Sequence, residues 1–436
     1  MSRAEWKRTH YSVEVTPNIE GKEVVVNGNV LRLRKLGKLK FFVLQDNDGI
    51  IQITARKGEV NEGIMEKIEQ IDRNDALSVA GIVKVDERAP RSVEIIPAKI
   101  EILNKSEPLP YDPLAPSIET GFDTRLKWRV IDFRNPKVRS TFLIKSEITN
   151  ITREFFHKRK FTECFTSKIT SAATEGGAEV FPILYFDRPA FLTMSPQLYK
   201  QFVVGGGFEK FFEIGPVYRA EKHRTRRHLN EFWGIDIEVG FATENDVMNI
   251  LEELIWEVYK EVKKRREKDF EILEREIEVP KRPFKSLTYD KCVNMLEKEG
   301  EIIEWGKDFS TPQEKKLVEM INEPFFITDY PWAIKPFYIA RHEDDPKLSY
   351  GFDFIYEIEL TSGGRREHRV EKLIENLKDK GLEPKNFEFY LKAFRYGIPP
   401  HAGWGLGLER LLMIITGAPE LRETVMFPRT VEDIEP

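Results

Sequence analysis

Between residues 22 and 105 the hydrophobic positions fall in short runs: Val24–Val26, Phe41–Leu44, Ile50–Thr54 and Ser78–Val83. Turn-forming Asn27-Gly28, Leu36-Gly37-Lys38 and Asp46-Asn47-Asp48-Gly49 separate them. Short β-branched and aromatic runs bounded by Gly and Asn predict strands joined by turns. One stretch, Gly63–Arg73, has helical character and interrupts them. Five strands with one helix in about 80 residues predict a Greek-key barrel of the OB type, with a generic small barrel as the alternative.

The pattern then changes. Pro108, Pro110, Pro113 and Pro116 crowd together, so residues 106–139 read as a linker behind a barrel domain of residues 1–105. Ser140–His157 has helical spacing, and Ala190–Thr193, Phe211–Ile214 and Gly234–Val239 are strand-like. Asn245–Arg265 is an amphipathic helix that Thr243 caps, with Asp246 three residues on. Residues 285–325 read as helical and polar, within an elaboration over about 265–330. Phe352–Thr361 is a strand candidate and Gly407–Thr416 a buried helix. The chain predicts an α+β protein whose second domain, residues 140–436, is a mixed sheet with flanking helices.

Composition narrows the classes. At 436 residues the chain supports more than one core. Cys164 and Cys292 are far apart and lack metal-ligand spacing, so neither a disulfide framework nor a zinc ribbon is expected, and a cytoplasmic location fits. No apolar stretch reaches the roughly 18 residues of a membrane span, so no membrane partner is expected. Net charge is 68 − 73 = −5, which does not single out a nucleic-acid binder. Basic charge concentrates locally at Lys222–His228, where a plain solvated loop is the alternative reading.

Phosphate loops of the P-loop and dinucleotide types are absent. Instead Phe211–Glu221 and Arg227–Glu238 read as a hairpin around the basic loop. Arg219 and Glu221 are expected to point one way on one strand, and Asp236 and Glu238 one way on the other. An arginine there suits a bidentate grip on phosphate, with acidic partners to hold it. Gly403, Gly405 and Gly407 clear one face of a strand, so a flat ligand can approach the backbone. Arg410 then opens a helix, where its guanidinium can stack on a purine.

Together these motifs resemble the class II aminoacyl-tRNA synthetases, in the subclass of the aspartyl, asparaginyl and lysyl enzymes. Tyr218-Arg219-Ala220-Glu221 with Arg227-His228-Leu229 is similar to the family's motif 2, Gly403–Arg410 to motif 3, and Phe161–Ile169 to motif 1. Asp123–Leu126, Ala173–Ala178 and Ser195–Lys200 resemble the archaeal and eukaryotic-type aspartyl enzymes in particular. The resemblance implies an OB-fold anticodon-binding barrel, a catalytic domain with an antiparallel sheet flanked by helices, and a homodimer. It implies ATP-dependent activation of L-aspartate to aspartyl-adenylate and transfer to tRNA(Asp), with tRNA(Asn) as a further acceptor.

It also implies roles. Arg219 and Arg410 are the catalytic pair, Arg219 holding the α-phosphate and the amino-acid carboxylate. Glu221 and the backbone at Leu229 read the adenine, which lies between Phe232 and Arg410, while Arg227 and His228 reach the outer phosphates. Asp353, Glu359 and Ser362 carry Mg²⁺, Glu359 serving ATP as well. Lys200 and Arg366 read the β-carboxylate, and Glu175, Ser195, Gln197, Asp236 and Ser362 complete the aspartate site beneath a mobile loop at Ser171–Ala178. On the barrel, Phe41 or Phe42 and Gln52 stack and read anticodon bases.

Four positions depart from the family. Ser167 replaces the motif 1 proline, Asn29 the barrel's tryptophan and Gln45 an arginine, and Asp353 to Glu359 is one residue short. Three alternatives stay open. An asparaginyl enzyme is one, since Arg224–Leu229 looks asparaginyl-like. The others are a paralogue using aspartyl-adenylate for another purpose and a non-catalytic RNA-binding protein.

Overall fold

Buried positions recur along Glu23–Leu36 (β1), Leu39–Gln45 (β2), Ile50–Arg56 (β3), Ala76–Val85 (β4) and Val93–Asn104 (β5), with runs of three in all but β1. These five strands close into a barrel in the order β1-β2-β3-β5-β4. A barrel leaves no strand edge open, and this arrangement is the OB fold. Phe42, Leu44, Ile51 and Ile53 fill its core, and the helix Glu62–Glu69, capped by Asn61, adds Ile64, Met65 and Ile68. That helix is shorter than the Gly63–Arg73 stretch the sequence suggested. Asn27-Gly28 is not a turn but lies inside β1. A side chain at Gly28 would overlap the Gln45 carbonyl of β2, so this glycine allows a close approach between strands just ahead of the bulge at Val30/Arg32.

The computed structural model describes residues 6–115, 120–171, 179–222 and 228–435. It divides into two compact units at Asp112/Pro113. In the second unit the strands are Thr162–Glu163 (β6), Ile169–Thr170 (β7), Pro182–Tyr185 (β8), Arg188–Leu192 (β9), Lys210–Tyr218 (β10) and Glu231–Gly240 (β11). They continue with Lys285–Thr288 (β12), Phe325–Thr328 (β13), Gly351–Tyr356 (β14), Ile358–Arg365 (β15) and His401–Gly407 (β16). Eight of them form one sheet ordered β12-β13-β14-β15-β16-β11-β10-β6, and β7-β9-β8 form a small second sheet. The large sheet is antiparallel except at its edges, where β12/β13 and β10/β6 pair in parallel.

Two long helices cover the sheet. Pro136–Lys158 starts with proline in its first turn behind an Asn135 cap. Glu244–Arg265 carries the expected capping box between Thr243 and Asp246. Their buried faces join β10, β11 and β16 in one core around Trp404, whose indole donates to the Val247 carbonyl at 2.9 Å.

Two expectations change. Residues 285–325 are not wholly helical: Tyr289–Lys298 and Thr311–Ile321 are helices, but β12 and β13 at either end extend the main sheet. Their apolar runs are only four residues long, too short for periodicity to separate them from buried helix. Phe352–Thr361 is a hairpin rather than one strand, because Glu357 adopts φ +60° and turns the chain between β14 and β15. The short spacing from Asp353 to Glu359 coincides with the ladder irregularity at Phe354/Ile355.

Gly28→Ala is expected to destabilise the barrel by about 1–3 kcal/mol through overpacking, read as a lower denaturation midpoint for that unit while the second unit keeps its own.

Candidate active site

Strands β10, β11, β15 and β16, with the helix Gln197–Gly205, wall a cavity of about 320 Å³. Ser195, Gln197, Lys200, Arg219, Glu221, His228, Leu229, Phe232, Asp236, Glu359, Ser362, Arg366 and Arg410 all line it. Residues spread over more than 200 positions thus converge on one space. Asp353 does not line it. Glu175 with all of Ala173–Ala178, Arg227 with the centre of the basic run, and Pro116 lie outside the described residues.

The cavity's interior end is electrostatic. Asp236 and Glu238 point the same way from β11, as their spacing of two requires. Lys200 is 1% exposed, and its ammonium bonds Asp236 Oδ1 at 3.0 Å and the Trp404 carbonyl at 3.2 Å, with Glu238 Oε2 at 3.4 Å. Two of the three ammonium protons are thus hydrogen-bonded, and Glu238 stands by as an ion-pair partner. Arg366 donates from Nε and Nη2 to the two oxygens of Glu238 at 2.8 and 3.2 Å. Its Nη1 has no partner among the described residues. Burial pushes the Glu238 carboxyl up, but Arg366 and Lys200 outweigh it and hold it below the usual range. Arg366 is raised in turn by Glu238 against the penalty of burial.

The alternate glycines of β16 serve this cluster. Gly403 pairs with Glu238 and Gly405 with Asp236 across the ladder. A side chain at Gly403 would overlap Glu238 Oε2, and one at Gly405 would lie 3.1 Å from Asp236 Oδ1. Glu238 thus fills the space over Gly403, whereas Gly405 and Gly407 line the cavity and leave that part of the face to a ligand.

At the other end Arg219 lies just past β10, which stops at Tyr218, so Arg219 and Glu221 are not strand residues as expected. The Arg219 guanidinium sits 5.3 Å from the Phe232 ring centroid, and its buried Nε has no partner. Gln197 Nε2 is likewise buried without one. Unpaired buried donors cost about 1–3 kcal/mol each, so both favour a ligand that accepts. His228 Nε2 is 3.6 Å from Glu221 Oε2. Arg410 donates to the Glu359 carbonyl at 2.8 Å, and Glu359, partly exposed on the cavity wall, has a pKa raised by desolvation and by the charge of Asp353.

Sequence reasoning missed three residues here. Lys335 lines the cavity and bonds Asp353 Oδ2 at 2.6 Å. Glu409 accepts from Lys145 at 2.7 Å and from the Trp233 amide at 2.9 Å, tying β11 to two helices. His401 is fully buried behind Glu238, its ring nitrogens against Gln201 Nε2 and the Pro399 carbonyl. Lys335 and His401 carry no local pattern, so nothing near them in the sequence could have flagged them. Glu409 lies beside Arg410 within the glycine-rich motif, and that was its only signal.

On the barrel, Phe42 is 0% exposed in the core and cannot stack on a base, which corrects that candidate. Phe41 alternates outward, 5.9 Å below the Arg34 guanidinium. Gln52 Nε2 bonds Glu94 at 3.1 Å and Thr54 at 3.2 Å, and Arg56 approaches Glu94 at 3.4 Å. Asn29 donates to the Asn74 carbonyl at 3.1 Å. In the motif 1 segment Ser167 donates to the Ile169 carbonyl, and Lys168 pairs with buried Glu213.

Residues 121–431 match the family "tRNA synthetases class II (D, K and N)", and residues 24–103 match "OB-fold nucleic acid binding domain". The chain is 44% identical to an aspartate–tRNA(Asp/Asn) ligase of Methanococcus aeolicus over 99% of both chains. It is 47% identical to an aspartate–tRNA(Asp) ligase of Pyrococcus furiosus, over 97% of this chain and 98% of that one. A crystal structure of asparaginyl-tRNA synthetase from Pyrococcus horikoshii with asparaginyl-adenylate superposes with a TM-score of 0.92 at 33% identity, covering 98% and 99%. The chain belongs to the class II tRNA synthetases, in the group of the aspartyl, lysyl and asparaginyl enzymes.

Burial lowers the His401 pKa to about 4 from an ordinary 6.5. A depressed folded value gives stability that is complete above pH 6.5 and lost as pH falls toward 4. The loss is roughly 3 kcal/mol at most. His401→Asn is expected to flatten that part of the denaturation midpoint against pH, relative to the unsubstituted protein.

Proposed function

We propose that this protein activates L-aspartate with ATP, giving aspartyl-adenylate and pyrophosphate, and esterifies the 3′ end of tRNA(Asp), with tRNA(Asn) as a second acceptor. One observation carries the amino-acid assignment: two buried cations, Lys200 and Arg366, face one cavity from a shared carboxylate, Glu238. An aspartate β-carboxylate satisfies the uncommitted Arg366 nitrogen and draws on Lys200. A carboxamide supplies only half of that and leaves a desolvated cation short of an acceptor. The names of the relatives agree, both being aspartate ligases.

The chemistry joins two anions, so the enzyme's task is charge neutralisation and alignment. Arg219 draws the α-phosphate and the aspartate carboxylate together, using its unpaired Nε. Phe232 and Arg410 flank the adenine, Glu221 reads it, and His228 meets the outer phosphates together with Arg227. Ser195 and the Gln197 side-chain oxygen, with Glu175, accept from the α-ammonium, which leaves the unpaired Gln197 Nε2 to donate to a carboxylate or phosphate oxygen. Magnesium, when bound, neutralises the phosphates. Its donors would be Glu359, Ser362 and Asp353, whose Oδ1 is buried without a partner. Two carboxylates and a hydroxyl suit a hard cation that takes its other ligands from phosphate, and Lys335 already balances Asp353 Oδ2.

The tRNA is read by the outer face of the barrel, through Phe41, Gln52 and the Arg34 that covers Phe41. Asn29, where family members carry tryptophan, supports acceptance of tRNA(Asn), as does the name of the Methanococcus relative. We assign a homodimer, supported by the family's motif 1 and by the exposed Phe165 and Ile169 in that segment. No helix among the described residues is long and apolar enough to cross a membrane. Two unpaired cysteines fit a cytoplasmic enzyme. The asparaginyl reading is the second, favoured by the superposition on an asparaginyl enzyme.

Amino-acid-dependent pyrophosphate exchange tests the choice: aspartate should exceed asparagine by about 10⁴-fold, and preference for asparagine overturns it. Lys200→Leu should raise KM for aspartate by at least about 30-fold and leave KM for ATP within a factor of about three. Charging of paired transcripts should give ester on both tRNA(Asp) and tRNA(Asn); charging of the first alone would overturn the second acceptor.

A further inference from the structure

The loop joining β10 to β11 is closed by a residue with no role in the chemistry above. Asn230, immediately before β11, is 8% exposed. Its side-chain amide donates to two main-chain carbonyls, Arg219 at 2.7 Å and Glu221 at 3.1 Å. Its carbonyl accepts the Arg219 amide at 2.9 Å, and its own amide donates to the Arg429 carbonyl at 2.8 Å. Only an NH₂ group can meet two carbonyls at once, so the orientation of the side chain is fixed by its partners.

The fourth bond reaches a segment that is itself held. Arg129, 2% exposed, donates to the carbonyls of Val425 and Met426, both at 2.8 Å, and pairs with buried Asp132. Phe427 meets Phe133 edge to face at 5.7 Å. The C-terminal segment therefore presents the Arg429 carbonyl from a fixed place.

We infer that Asn230 is the positioning residue that sets Arg219 and Glu221 for ATP, by clamping both their carbonyls to a strut made of the C-terminal segment. The inference rests on the ATP site proposed above. β10 ends at Tyr218, and past it one main-chain bond, Arg219 to Asn230, continues the pairing, so the ladder no longer dictates where Glu221 stands. Ala220 donates to the Glu179 carbonyl at 2.9 Å, and the Asn230 amide holds the residues on either side of it, whose side chains enter the cavity. Asn230 touches neither substrate; it acts through the backbone of residues that do.

Asn230→Asp keeps the shape and turns both donors into acceptors facing two carbonyls. Asn230→Ala removes the donors without repulsion. In aspartate-dependent pyrophosphate exchange, with active sites titrated, KM for ATP should rise about 10- to 100-fold in the Asp variant and by a smaller factor in the Ala variant. A residue that merely supports the fold would lower the titrated fraction and the melting temperature but leave the KM of the remaining sites unchanged, and that result overturns the inference. An Asp variant no worse than Ala also overturns it. Should the Asp variant fail to fold, KM of the Ala variant decides alone: within twofold of the unsubstituted protein refutes. If the unsubstituted protein shows no aspartate-dependent exchange, the functional reading falls instead, and the two failures are distinct.

Discussion

The buried carboxylate of Glu238 is the constraint around which the catalytic unit is arranged. It is fully enclosed and carries two cations, Lys200 from a helix and Arg366 from the end of β15. Burying any one of these charges alone would cost several kcal/mol, so the three stand or fall together. Space for them comes from the adjacent strand, where Gly403 gives room for Glu238 and Gly405 for Asp236. The glycine-rich strand, the helix carrying Lys200 and the position of β15 are consequences of one shared charge.

From that anchor the cavity extends toward the β10–β11 loop, and its character changes. The interior end is nearly satisfied: Lys200 makes two hydrogen bonds beside the Glu238 carboxylate, and Arg366 keeps one nitrogen in hand. The loop end is under-satisfied, with Arg219 Nε unpaired. A nearly satisfied end selects by fit and charge balance. An unsatisfied end binds because a ligand completes it.

Much of this was legible in the chain. Arg219 and Glu221, the Thr243 capping box, the alternate glycines and the barrel strands each carry a local pattern that physical chemistry ties to a structure. Their convergence followed from the resemblance, since spacing alone does not bring Lys200 to Asp236. What escaped was non-local. Asn27-Gly28 looked like a turn because the close approach to Gln45 is invisible in β1 alone. β12 and β13 were lost in a polar helical stretch because four apolar residues show no period. Lys335 and His401 acquire meaning only from neighbours tens to hundreds of positions away, and Phe42 could be separated from Phe41 only once the barrel's inside was known.

The charge-balanced cluster also shapes how this enzyme can diverge. Lys200, Asp236, Glu238 and Arg366 sum to zero, and each charge is compensated by the others. Replacing one strands a buried ion, a step worth about 3–5 kcal/mol, comparable to the whole margin by which many domains stay folded. A lineage drifting from one amino-acid substrate to its amide therefore cannot walk there one charge at a time. It must change two positions nearly together, or first acquire stability elsewhere. Substrate identity is protected here by a fitness valley, while half-buried, uncharged barrel positions such as Asn29 can vary singly.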